Sequence, residues 1–484
     1  MNGPEYTPKR SRDLNIRIVP SLQASSLKIR AITLQSKATS IKSLAGTRTN
    51  VPTDSSEAVV AVSTSINPHI LASHDSVLSN TPSLSERASQ QRRSLIHFAT
   101  LCFCLFVEGW NDGSTGPLLP TIQRHYGVGF AVVSLLFVSS CVGFLSGAIV
   151  NVYLNDKLGF GKLLVLGSSI QLISYAMSAP AGPFPLMCIA FFMAGFGISF
   201  QSAAANGFVG SLKKNATTKM SFLHASYGLG AFTAPLTATK FASIRHWSFH
   251  YLISAGLAFI DTILLAAVFK FKYQDDVLAA EGQQATPNEE ENRNKYRLIL
   301  SLKTVHFLSF FALIYVGTEV SLGGWIVTFI EQKRGGGASA GFISAGFFGG
   351  LMLGRILLVW LTRKIGERRS LFLYAFLAIV LEVTVWVIPS LVENAVAVSC
   401  VGLFFGPMYP ILMNSCRDYL PKWILTASVG WISGFGQAGS AVLPFLTGLF
   451  ASKFGIGSLQ PLVVSMMSTL VIIWALVPRV RRLD

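Results

Sequence analysis

Along most of this chain the apolar residues gather into long blocks separated by short polar loops, and they do not recur every third or fourth position as in a helix with one wet face. A bilayer core roughly 30 Å thick is crossed by about 20 helical residues, because a helix rises about 1.5 Å per residue and satisfies its own backbone hydrogen bonds. Blocks of that kind run at 95–120, 129–153, 161–180, 184–210, 219–243 and 248–271, and again at 302–330, 338–362, 369–388, 394–416, 423–450 and 457–478. The pattern predicts an all-α polytopic membrane protein with twelve transmembrane helices. A polar, acidic stretch from Gln274 to Asn294 separates two sets of six. The predicted organisation is a six-helix half at 94–271, a cytosolic linker at 272–301, and a second half with a short basic tail at 302–484. Residues 1–93 are rich in Ser, Thr, Lys and Arg with no sustained apolar period, and are expected to form a disordered basic cytosolic tail.

Charge sets the expected orientation. Lys157, Lys162, Lys213, Lys214, Lys219, Lys272, Arg293, Lys295, Arg297, Arg363, Lys364, Arg368, Arg369, Arg417, Lys422, Arg479, Arg481 and Arg482 fall in the even-numbered connections or after the last block, whereas the odd-numbered ones hold only Arg124, Arg245, Lys333, Arg334 and Lys453. The positive-inside rule then puts both termini in the cytosol. On that orientation Asn215, which begins the sequon Asn215-Ala216-Thr217, is cytosolic and carries no glycan.

Only 13% of the 484 residues are charged, against about 25% in a soluble domain. The net charge of +16 sits in loops and tail, which marks membrane orientation and excludes a nucleic-acid-binding role. The six cysteines show no metal-ligand spacing and read as small hydrophobes.

The two halves repeat. Gly147 to Lys162 (GAIVNVYLNDKLGFGK) and Gly354 to Arg369 (GRILLVWLTRKIGERR) align at an offset of 207, matching Gly147 with Gly354, Leu154 with Leu361, Lys157 with Lys364 and Gly159 with Gly366. Gly230 before Pro235 is echoed by Gly439 before Pro444. Related six-helix halves with a site at their interface are the architecture of alternating-access carriers.

These loops resemble the signature G-x-x-x-D-R-x-G-R-K of the major facilitator superfamily. In the first copy Asp156, Lys157, Gly159 and Lys162 match, while Phe160 and Gly161 break the basic pair; the second copy, which opens with Gly354-Arg355, keeps Gly366, Arg368 and Arg369. As cytosolic gating residues the resemblance implies Asp156, Lys157, Gly159, Lys162, Arg355, Gly366, Arg368 and Arg369. Five helix segments carry a narrower likeness: NDGSTGPLLP (Asn111 to Pro120), HASYGLGAFTAP (His224 to Pro235), YVGTEVSLGGWIV (Tyr315 to Val327), GLFFGPMYPILM (Gly402 to Met413) and GQAGSAVLPFLTG (Gln437 to Gly448). Together they resemble the fucose:proton symporter group, including its uncharacterised fungal members, over residues 95–480. The resemblance implies the major facilitator fold and proton-coupled movement of a sugar-like solute; the alternatives are a proton antiporter exporting a metabolite or toxin and a non-transporting membrane sensor. Lipid, solute and protons are the expected partners, with no cofactor beyond a proton gradient, function as a monomer, and the plasma membrane by default with a vacuolar or other organelle membrane open.

An ionisable group at the centre of a membrane helix costs roughly 2.5 to 3.5 kcal/mol on insertion scales, so each needs a partner, water or a job. Glu108 and Asp112 are four residues apart, hence on one helix face, among Gly109, Gly113 and Gly116. Two carboxylates so placed disfavour joint ionisation, which suits reversible proton binding; the alternative is that Asp112 or Asn111 caps a helix break before Pro117. Glu319, beside Gly317, Gly323, Gly324 and Trp325, is the foremost proton-coupling candidate, with a structural hydrogen bond as its alternative. Asn111, Gln201, Asn206, His224, Tyr227, Trp325, Tyr409, Asn414 and Gln437 are candidates to line the solute cavity, since sugar hydroxyls need fixed donors, acceptors and an aromatic face; each could equally be interhelical glue. Asp261 and Glu382 are expected to be peripheral and structural. No P-loop, H-E-x-x-H or G-x-S-x-G is present, so no enzyme chemistry is expected.

Overall fold

A computed structural model describes residues 84–283, 300–420 and 422–478. The expectations for residues 1–83, most of the linker, and Arg479, Arg481 and Arg482 lie outside the described residues, as do the side chains of Asp156 and Lys422.

All regular structure described is helical. The spans are α1 (Leu84–Tyr126), α2 (Leu135–Leu158, led in by Phe130–Val133), α3 (Phe160–Ser178), α4 (Phe184–Ser211), α5 (Ala216–Ala242) and α6 (His250–Phe269). The second set is α7 (Lys303–Arg334), α8 (Gly341–Ile365), α9 (Glu367–Val387), α10 (Leu391–Tyr419, interrupted at Gly406 and Pro407), α11 (Lys422–Phe454) and α12 (Leu459–Leu476). Ten are long and apolar enough to cross a membrane by composition alone. The other two, α5 and α11, are equivalent in the repeat and are rich in Gly, Ser and Thr. Trp360, Val387 and Val392 are exposed on the outer surface, where a lipid solvent accounts for them.

Two boundaries depart from the sequence reading. The first helix starts at Leu84, ten residues inside the expected disordered tail, and its Gln90 packs against Gly282 of the linker. His97 on α1 bonds Glu281 at 2.7 Å, and Lys213 N–H donates to Gln283 at 3.0 Å. The expected plain linker also holds a short helix, Gln274–Ala280, whose Val277 and Leu278 are buried.

The packing repeats with a shift of six helices. α1 packs on α5, and α7 on α11; α2 on α4, and α8 on α10; α3 on α4 and α6, and α9 on α10 and α12. Between the halves α5 meets α8 as α11 meets α2, and α1 meets α7. Glycines permit the closest approaches: a Cβ on Gly113 would lie 2.4 Å from the carbonyl oxygen of Ala231, and one on Gly439 2.0 Å from that of Leu313. Gly143 and Gly147 on α2, with Gly346 and Gly350 on α8, serve the same purpose against α4 and α10.

Contacts between repeat-equivalent residues locate the pseudo-two-fold axis. Arg124 on α1 bonds Glu331 on α7 at 3.0 Å, and the two are 207 residues apart. A Cβ on Gly116 would lie 2.2 Å from the carbonyl oxygen of Gly323, at the same spacing. Both contacts lie toward the ends of α1 and α7, where the halves are closed. Thr239 against Gly341 and Ser134 against Gly448 add to this seal. At the opposite end, which carries the basic loops, Gly207, Gly430 and Gly434 face open space. The halves therefore meet at one end and part at the other.

Candidate functional site

The carboxylate of Asp112 is exposed to the space between the halves. Gly109 and Gly113 bring α1 so close to α5 that Tyr227 reaches it: the Tyr227 hydroxyl donates to Asp112 Oδ2 at 2.7 Å, and the Asn111 amide donates to Oδ1 at 3.1 Å. Glu108, one turn earlier, is half-buried, has Ser202 of α4 within reach, and leaves Oε2 without a partner.

Across the interface, Glu319 on α7 is 7% exposed and lies 3.8 Å from the guanidinium of Arg355 on α8. Arg355 also donates to the backbone oxygen of His224 at 3.5 Å, and its guanidinium carbon sits 6.0 Å from the centre of the Tyr227 ring. Tyr227 thus touches the α1 carboxylate with its hydroxyl and faces the α8 cation with its ring. The His224 and Tyr409 rings pack edge-on at 6.4 Å, and Tyr409 stacks toward Tyr315. Asp112 and Glu319 are themselves 207 residues apart, so the two cavity carboxylates are repeat-equivalent.

Of the candidates, Asp112, Glu108, Asn111, His224, Tyr227, Tyr409 and Glu319 converge on this interface. Others do not. Arg355, expected in a cytosolic gating loop, is two turns and more inside α8, and its side chain is 10% exposed at the Glu319 pair. Trp325 is fully buried; its indole donates to Pro444 O at 3.0 Å and packs on Phe130 and Phe137, sealing the closed end. Asn414 bonds Glu367 at 2.8 Å near the basic end. Gln201 is 2% exposed inside the first half, and Asn206 turns back onto Ser202. Gln437 offers its backbone oxygen to Cys141 at 3.3 Å across the α2–α11 contact.

The loop residues called gating are placed as follows. Gly159 and Gly366 end α2 and α8 with φ of 78° and 91°, which favours glycine. Arg368 donates to Val477 O at 3.1 Å, satisfying carbonyls freed at the end of α12, while Arg369 and Lys162 are exposed. Lys157 bonds the Tyr153 hydroxyl. The sequence reading missed Arg355 as Glu319's partner, although a lone arginine in an apolar helix is itself a signal.

Asp261 and Glu382 are fully buried. Asp261 accepts from Ser168 at 2.8 Å, and neither Glu382 oxygen has a partner among the described residues.

Two six-helix halves related by an axis along the bundle, with paired carboxylates at their interface, define a membrane transporter of the twelve-helix type. Residues 101–422 match the Major Facilitator Superfamily, and the chain belongs to it. It is similar to the Saccharomyces cerevisiae protein named Bypass of stop codon protein 6, at 27% identity over 407 residues, 78% of this chain and 82% of the relative. It is also similar to the glucose/mannose transporter GlcP of Bacillus subtilis, at 23% identity over 344 residues, 71% of this chain and 85% of that one. The solved structure of the E. coli fucose:proton symporter FucP has the same fold, with a TM-score of 0.58 over 80% of this chain and 99% of that chain at 15% identity.

Proposed function

We propose that this chain imports a sugar-like solute together with protons by alternating access, with both termini in the cytosol and the plasma membrane as its site. The observation that carries the proposal is the facing arrangement of Asp112 and Tyr227 on one half with Glu319, Arg355 and Tyr409 on the other, in space open at a single end. Hydroxyl, amide, carboxylate and guanidinium groups beside aromatic rings are what a polyol needs for orientation. The positive-inside orientation makes the open end cytosolic, so this conformation faces inward. The names of the similar proteins, a glucose/mannose transporter and a fucose:proton symporter, support a sugar as the solute.

Charge balance divides the labour between the carboxylates. Arg355 neutralises Glu319, and the pair is charge-complete without a proton. Asp112 and Glu108 have no cation within ion-pair distance among the described residues, so a proton is what neutralises them. In this reading α1 binds the driving proton, and Glu319–Arg355 is the ion pair that holds the second half in register with the solute. The test is uptake of a panel of labelled sugars by cells expressing the chain, with and without an uncoupler. Uncoupler-sensitive accumulation of a hexose is expected. Hexose efflux driven by the gradient would reverse the direction proposed, and indifference to the uncoupler would remove the coupling.

A further inference from the structure

Asp261 lies midway along α6, wholly buried, with no cation in ion-pair range among the described residues. Its Oδ2 accepts from Ser168 at 2.8 Å and sits 3.0 Å from one end of the Gln201 amide, and its Oδ1 has no partner. From Gln201 a line of hydrogen bonds crosses the half to the cavity. Gln201 Nε2 donates to Gln171 Oε1 at 2.9 Å, and Gln171 Nε2 donates to the Tyr175 hydroxyl at 2.8 Å. Tyr175 donates to Asn111 Oδ1 at 3.1 Å, and Asn111 donates to Asp112 Oδ1 at 3.1 Å. With the Gln201 amide turned this way every donor in the line points toward Asp112; turned the other way, the same amide donates to Asp261 Oδ2 at 3.0 Å.

That direction has a chemical requirement at its far end. With Nε2 committed to Gln171, the Gln201 group facing Asp261 is the carbonyl oxygen, which accepts from Cys104 at 2.9 Å, and an ionised carboxylate oxygen 3.0 Å away with no proton between them is repelled. A proton on Asp261 turns the contact into an O–H···O bond. With Asp261 ionised, the Gln201 amide turns to donate to Oδ2 at 3.0 Å, and its oxygen faces Gln171 and the Ser168 N–H at 3.2 Å. Gln171 must then turn as well and present its oxygen to Tyr175. The single Tyr175 proton goes to Gln171, and Asn111 loses its donor.

We propose that Asp261 is a second protonation site of this carrier, and that Gln201, Gln171 and Tyr175 form a two-way relay reporting its state to Asn111 and Asp112. The inference deepens the proton-coupled reading and rests on it. One proton is taken from water onto the Asp261 carboxylate and returned to water; the amides rotate and pass no proton. The groups facing Asp261 are the Ser168 hydroxyl and Tyr175 on α3, Gln201 on α4, and Cys104 on α1, with Thr262 on its own helix bonded to Ser168. Asp261 is a positioning residue, because it touches neither solute nor cavity.

The test is infrared difference spectroscopy of the purified full-length protein titrated with pH, reading the carboxylic-acid C=O stretch. It needs no sugar, so its failure is separable from failure of the sugar reading. Asp261→Asn should remove one such band. Asp112→Asn should shift the pH at which that band titrates, and adding Tyr175→Phe, which deletes one hydroxyl, should abolish the shift. A spectrum unchanged by Asp261→Asn overturns the protonation site. A titration unmoved by Asp112→Asn, or a shift that survives Tyr175→Phe intact, overturns the relay.

Discussion

The two cavity carboxylates occupy equivalent places in the repeat and have opposite surroundings. Asp112 is open to the cavity, held by an amide and a tyrosine hydroxyl, and tied into a polar network through its own half. Glu319 is buried against Arg355, with the Tyr315 hydroxyl, aromatic rings and a backbone oxygen around the pair. The repeat supplies one position twice, and in the proposed function the partner residue decides the role. A carboxylate with only neutral donors can change its proton count, while one with a guanidinium has its charge already balanced.

The largest expected effect breaks the comparison at its α1 side. Asp112→Asn keeps size and hydrogen bonding but removes titration, so accumulation of a sugar against its gradient should disappear, whereas sugar exchange across liposomes without a gradient should continue. Uphill accumulation by this variant would return the coupling role to Glu319. On the other side, Arg355→Met leaves Glu319 buried without its cation, and folded-state stability should fall by about 3–5 kcal/mol. The double variant with Glu319→Gln should recover much of that loss in thermal unfolding in detergent, without recovering transport. A double variant as unstable as the single one would show that Arg355 acts through its other contacts.

Two smaller effects sharpen the frame around the site. Gly113→Ala places a methyl group against the Ala231 backbone and should cost about 1–3 kcal/mol by prying α1 from α5, with weaker sugar affinity because Tyr227 moves off Asp112. Trp325→Phe removes the bond to Pro444 and part of the buried ring volume and should cost about 1–3 kcal/mol, with sugar affinity unchanged. A marked loss of affinity in Trp325→Phe would put that residue back in the cavity. Mass spectrometry of the expressed chain should find Asn215 unmodified; a glycan there would invert the orientation.

The helices were legible in the sequence because lipid demands long apolar blocks, and the halves because a repeat offset survives in the loops. Asp112, Glu319 and Tyr227 were legible as costly polar groups in those blocks. The placements that failed share a cause: they depend on which face of a helix a residue occupies after packing. Trp325 lies on the face that α11 covers, and Asn414 is about two turns beyond the Gly406 break, at the level of Glu367. Asp261 was read as peripheral from its helix number, yet α3 and α4 turn polar side chains toward it. The 207-residue spacing between Asp112 and Glu319 was present in the sequence and needed only to be extended from the loops into the helices.

The central claim is that sugar and proton move together through the α1 carboxylates. Purified protein in liposomes holding a pH-sensitive dye tests it directly: D-glucose added outside should carry protons inward and acidify the lumen, and Asp112→Asn should move sugar without that signal. Sugar entry with no proton movement in the parent protein, or an undiminished proton signal in Asp112→Asn, would contradict the account.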